Sequence, residues 1–148
     1  MKIDRDKKEL SLGALPRPTT RGVERAQSSS FDQELAQRRE AECQLKMQEL
    51  LRELDRLGES LKRSLTIQDL VLYRRLVKQF LKEATSRAYS LKQEQSRSRR
   101  GRTLLITIQT VDQEVEALID DFIRKKKEPV EVLTALDKIR GMLVDLMA

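Results

Sequence analysis

The chain contains no histidine. That absence removes the side chain that most often serves as general base, proton shuttle and metal ligand near neutral pH. A single cysteine, Cys43, is present, so neither an internal disulfide nor a cysteine-rich zinc site can form. A reducing compartment is the simple expectation. Tryptophan is missing and aromatic residues make up 3% of the chain, which leaves the core to Leu, Ile, Val, Met and Ala. Glycine (5) and proline (3) are scarce, which favours long uninterrupted helices over turn-rich sheets. No stretch approaches the roughly 18 consecutive apolar residues that cross a bilayer. The charged segment Met1–Lys8 is followed by no apolar region of the kind a secretory signal needs. A soluble, cytoplasmic protein is the expectation.

What is present is charge and aliphatic periodicity. Of 148 residues, 36% are charged and 39% hydrophobic, enough for one domain with a modest core. Residues 1–29 hold Pro16, Pro18, Gly13, Gly22 and most of the Ser28-Ser29-Ser30 run. No period survives there, and the segment reads as a flexible basic arm. From Ser30, a candidate helix cap, the pattern becomes helical. Cys43, Met47, Leu50, Leu54, Leu57 and Leu61 recur at alternating steps of four and three, one face of a helix over about 30–63. Cys43 on that stripe is expected to be core filler. Gly58 costs about 1 kcal/mol relative to Ala if the helix runs through it, or else marks an end or a kink.

Thr66 with Asp69 resembles a capping box and opens a second helix, about 66–97, on Leu70, Tyr73, Val77, Phe80, Ala84, Ala88 and Leu91. A third, about 102–127, carries Leu104, Ile108, Val111, Val115, Leu118 and Phe122. Its β-branched start, Thr103 to Val111, is also compatible with a strand, but the helical spacing continues unbroken. Glu128-Pro129 breaks the chain and starts a fourth helix, about 129–147, on Val132, Leu136, Ile139, Leu143 and Leu146. Short links between amphipathic helices predict an all-α, antiparallel bundle of about four helices over 30–148.

The net charge of +6 is unevenly spread. Residues 66–102 carry 10 basic and 3 acidic groups, while residues 103–148 carry 6 and 9. On the second helix Arg74, Arg75, Lys78 and Lys82 share one sector, followed by Arg97, Arg99, Arg100 and Arg102. This candidate anion- or partner-binding face suits nucleic acid, through phosphate neutralisation, or an acidic protein or anionic membrane surface. It is equally the pattern of a solvated face with favourable charges near helix ends. Aromatics for base stacking are nearly absent.

A catalytic constellation is not evident. Asp120 and Asp121 point about 100° apart on a helix, and the acids avoid the apolar faces, so no metal site is expected. There is no glycine-rich phosphate loop and no base to activate a Ser or Thr. The expectation is a protein that is not an enzyme, with no cofactor, no metal and no small-molecule substrate.

Three stretches carry a resemblance: Leu76-Val77-Lys78-Gln79-Phe80-Leu81-Lys82-Glu83-Ala84, Arg99-Arg100-Gly101-Arg102, and Leu136-Asp137-Lys138-Ile139-Arg140-Gly141-Met142-Leu143-Val144-Asp145-Leu146. Over roughly residues 67–147 the chain resembles the YaaR-like family of uncharacterised small bacterial proteins. The resemblance implies a bacterial, cytoplasmic, helical protein and supplies no catalytic residue. It draws attention to Gly101, Arg140 and Gly141. Gly101 would provide a positive φ between helices, and Gly141 close approach of a neighbour. Alternatively, Arg100, Arg102 and Arg140 would converge on an anionic partner or on acids of another helix. The leading expectation is an interaction or adaptor protein that binds a protein partner or self-associates through its amphipathic helices. Nucleic-acid binding through the basic face is the alternative.

Overall fold

A computed structural model describes the backbone of residues 16–94 and 99–148, and the side chains of residues 30–90 and 99–148. Four helices follow one another: α1 Pro16–Arg63, α2 Ile67–Glu94, α3 Arg99–Ile123 and α4 Pro129–Met147. The expected all-α class and helix count hold. Helix α1 is described from Pro16, and its side chains from Ser30. Pro16 and Pro18 fall in its first turn, where a missing N–H breaks no intrahelical bond, so these prolines start the helix rather than exclude it. The remainder of the expected arm, residues 1–15, lies outside the described residues.

The other boundaries follow local chemistry. Asp69 N–H donates to Thr66 Oγ1 at 3.2 Å, the N-terminal cap anticipated for α2. Helix α3 runs through the β-branched stretch. Thr103, Thr107 and Thr110 each donate their hydroxyl to the carbonyl four residues earlier, at 2.9, 3.0 and 2.9 Å, which satisfies the side chain inside the helix. Helix α3 ends in a Schellman arrangement, with Lys126 N–H on Asp121 O (2.8 Å) and Lys125 N–H on Phe122 O (3.1 Å). The left-handed position is taken by Lys125, φ 56°, where glycine is usual. Glu128 is extended and Pro129 opens α4, as the dipeptide predicts.

The chain divides into two compact units, Met1–Glu40 and Ala41–Ala148. In the first, the described side chains of α1 are solvent-exposed up to Arg39, Phe31 and Leu35 among them. The second is the four-helix bundle. Its antiparallel order is visible in the contacts between helices: Cys43 with Glu83 (α1 with α2), Lys78 with Asp112 (α2 with α3), Glu114 with Lys138 (α3 with α4) and Asp55 with Arg140 (α1 with α4). The core is aliphatic around two rings, Tyr73 and Phe80. Met47, Leu54 and Leu61 meet Leu70, Val77, Phe80, Val111, Val115, Leu118 and all five expected positions of α4. Cys43 is half-buried rather than fully buried, its thiol donating to Glu83 O at 3.4 Å. The α1 stripe was expected to begin there, and the core begins one turn later at Met47.

Candidate functional site

The basic face of α2 is only partly available. Arg74 Nη1 lies 3.5 Å from Glu116 Oε2, and Lys78 Nζ lies 3.1 Å from Glu116 Oε1 while also bonding Asp112. The Lys78 ammonium is held above its ordinary pKa, chiefly by the hydrogen bond to Asp112, with slight burial opposing and Glu116 adding. Half-exposed pairs of this kind contribute at most about 1 kcal/mol each, but they place α3 carboxylates on the sector expected to be cationic. The surplus of acids in residues 103–148 sits on the neighbouring helix, which a charge sum by segment does not reveal. Arg75, Lys82, Arg99 and Arg102 are exposed, and Arg97 lies outside the described residues.

Arg100, Arg102 and Arg140 do not converge. Arg100 donates to the carbonyl of Ala148 at the end of α4, Arg102 is exposed, and Arg140 reaches an acid on α1. The glycine expectations are corrected too. Gly101 is buried inside the first turn of α3, and no described glycine has positive φ. Gly141 is exposed, and a Cβ added there would meet nothing within 4 Å, so no close neighbour requires it.

One functional cation was missed. Arg87 is 8% exposed and donates through Nη1 to Leu146 O (3.1 Å) and Met147 O (3.3 Å). It satisfies orphan carbonyls at the C-terminus of α4, where a positive charge also complements the helix dipole. The signal was legible: Arg87 interrupts the apolar positions Ala84 and Ala88.

A groove of about 320 Å³ opens between α1 and α4 over α2, lined by Leu54, Leu133, Leu136, Gly58, Tyr73 and a set of charged side chains. Arg140 grips Asp55 with two bonds, Nε–Oδ1 2.5 Å and Nη2–Oδ2 3.1 Å. The hydrogen bonds to Asp55 raise the guanidinium pKa above its usual value. Lys62 pairs with Glu59 at 3.4 Å. Asp137, one turn before Arg140, has no ion pair among the described residues. Tyr73 is 4% exposed, and its hydroxyl forms no hydrogen bond among the described residues. Its pKa is raised by burial first and then by Asp55 and Asp137, with Arg140 opposing, so the phenol stays neutral and faces these groups.

A second surface is apolar. The pairs Arg74–Glu116 and Lys78–Asp112 fix the register of α2 against α3. Continued toward the start of α2, that register sets Ile67 level with Ile123. Ile67 and Val71 share the α2 stripe of Arg74 and Lys78, and Ile123 shares the α3 stripe of Asp112 and Glu116. All three are exposed, Ile123 at 61%. Val130 is level with them at the start of α4 and 73% exposed. Exposed Lys125 and Lys126 follow Ile123 in the turn, while Arg124 and Lys127 pair with Asp120 (3.3 Å) and Asp121 (3.4 Å). Among the described residues no group of three or more acids or thiols is placed to hold a metal ion, and no helix is long and apolar enough to cross a membrane.

The architecture and its surfaces define a small four-helix bundle. The chain matches a family model described as "Protein of unknown function (DUF327)" over residues 4–147, and it belongs to that family. It is similar to the "Uncharacterized protein YaaR" of Bacillus subtilis (strain 168), 28% identical over 99 residues that cover 66% of this chain and 67% of that protein. Among solved structures it is similar to "Moevan: a designed granulopoietic protein by topological rescaffolding". The TM-score is 0.60 at 27% identity, over 72% of this chain and 92% of the designed one.

Proposed function

We propose that this protein is a non-catalytic binding protein whose partner is another protein, docked on the α2–α3 flank around Ile67, Val71 and Ile123. The observation that carries the reading is this group of exposed apolar side chains, brought together by helix register beside Lys125 and Lys126. Single exposed aliphatics are ordinary, whereas several set level by helix register beside exposed lysines suit an interface. A complementary partner presents an apolar helix ridge flanked by acids. A cytoplasmic setting belongs to the same reading and is supported by the lone, half-buried thiol.

Self-association through α1 has weaker support. North of Cys43 the apolar spacing lapses: Gln33, Ala36 and Glu40 take the positions that would continue it, and Phe31 with Leu35 alone make a short ridge. Nucleic-acid binding retains Arg75, Lys82, Arg99 and Arg102, but Arg74 and Lys78 are matched by acids. It predicts a gel shift at about 50 mM salt that weakens steeply as salt rises.

The test compares two double variants in tagged protein recovered from its own cells. Val71→Glu with Ile123→Glu is expected to lose a specific co-purifying protein. Arg75→Glu with Lys82→Glu is expected to retain it. Retention in the first and loss in the second overturns the flank in favour of the basic face.

A further inference from the structure

We infer that the groove between α1 and α4 is a receptor for a cationic side chain, a Lys or Arg presented by a protein partner. The proposal rests on the reading that this chain binds protein, and it assigns a second contact with its own chemistry.

Three carboxylates and two cations line the groove. Arg140 is engaged by Asp55 through both carboxylate oxygens, and Lys62 by Glu59. Asp137 is the remaining charge, and it is negative. The Tyr73 hydroxyl is the remaining polar group. The side chain that carries it is 4% exposed, the hydroxyl has no hydrogen-bond partner among the described residues, and it lies near enough to Asp137 and Asp55 to feel both charges. No buried side-chain polar atom among the described residues lacks a partner, so this hydroxyl is reached from the groove that Tyr73 lines rather than sealed in packed carbon. As a neutral phenol it accepts a hydrogen bond from an ammonium or guanidinium while Asp137 supplies the counter-charge.

The rest of the lining suits the stem of such a side chain. Leu54, Leu133 and Leu136 make an aliphatic floor, and long cationic side chains lay their methylenes on such surfaces while the head reaches polar groups. Gly58 completes the wall. A Cβ there would meet nothing within 4 Å, so its lack of a side chain leaves room in the groove without being needed by the fold. An anionic ligand is disfavoured, because both cations are already held by acids and Asp137 would repel it.

N-acetyl-arginine amide, titrated into the full-length protein and followed by backbone amide NMR, tests the assignment directly. Saturable shifts are expected at Gly58, Leu133 and Asp137. Asp137→Asn and Gly58→Leu, each checked for native helicity, are expected to weaken the probe at least about tenfold, and Tyr73→Phe to weaken it several-fold. N-acetyl-aspartate amide is expected to leave the groove unshifted. Non-saturating shifts, persistence of binding in Asp137→Asn or Gly58→Leu, or equal binding of the anionic probe overturns the proposal. The experiment needs no partner protein, so its failure is separate from failure of the flank.

Discussion

Replacing Arg87 by Met keeps the length of the side chain and removes the guanidinium that closes the end of α4. Arg87 is 8% exposed and its Nη1 is shared between Leu146 O at 3.1 Å and Met147 O at 3.3 Å. A hydrogen bond from a charged donor contributes about 1.5–3 kcal/mol. Two bonds from one nitrogen are worth less than twice that, and the charge at a helix C-terminus adds about 0.5 kcal/mol. Against this, Met avoids the cost of burying a cation. The expected net loss is about 2 kcal/mol, which for a chain of this length lowers the melting temperature by roughly 6 °C. Urea unfolding followed by circular dichroism measures it. Arg75→Met, on the exposed surface, serves as the control and is expected to stay within about 0.5 kcal/mol of the parent. Arg87→Lys keeps the charge but not the reach or the planar fork and should fall between the two. If Arg87→Met unfolds with the same midpoint as Arg75→Met, the capping role is wrong.

Three further perturbations follow from the backbone and the groove. Lys125 occupies a left-handed position at φ 56°, so Lys125→Gly should raise stability by about 0.5–1 kcal/mol, and Lys125→Val should lower it, both read from denaturant midpoints. Gly141 lies in the interior of α4 with open space around its Cα, so Gly141→Ala should stabilise by about 0.5–1 kcal/mol; a loss would reveal a contact at that face. Because the Tyr73 pKa is raised in the folded state by burial and by Asp55 and Asp137, the folded chain holds this proton more tightly than the unfolded chain. Its contribution is therefore intact below the ordinary phenol value of about 10 and declines as pH rises above it. Alkaline unfolding should be shallower in Tyr73→Phe than in the parent.

The helices and the core were largely readable because aliphatic spacing is a local signal. Every apolar position expected on α4 is buried, and the stripes of α2 and α3 carry the core wherever their side chains are described. Pro16 and Pro18 lie in the first turn of α1, a position that proline tolerates. The Gly101 turn was misjudged because glycine also serves where a helix is buried at its first turn. The sites were less legible because they depend on which helix faces which. Arg74 and Lys78 looked like a free cationic face until α3 brought Asp112 and Glu116 against them. The groove needs Asp55, Tyr73 and Arg140 from three helices, and no spacing within one helix predicts that meeting. The Asp55 partner of Arg140 came only with the fold.

Docking of a protein partner on the α2–α3 flank is the proposal that one further measurement tests most directly. A photo-cross-linking residue placed at Val71, compared with one at exposed Gln79 of the same helix, tests it in the cells from which the chain comes. A discrete protein adduct is expected from position 71 that disappears when Ile123→Glu is added, and none from position 79. Adducts of equal yield at both positions, or an adduct at 71 that survives Ile123→Glu, would contradict it.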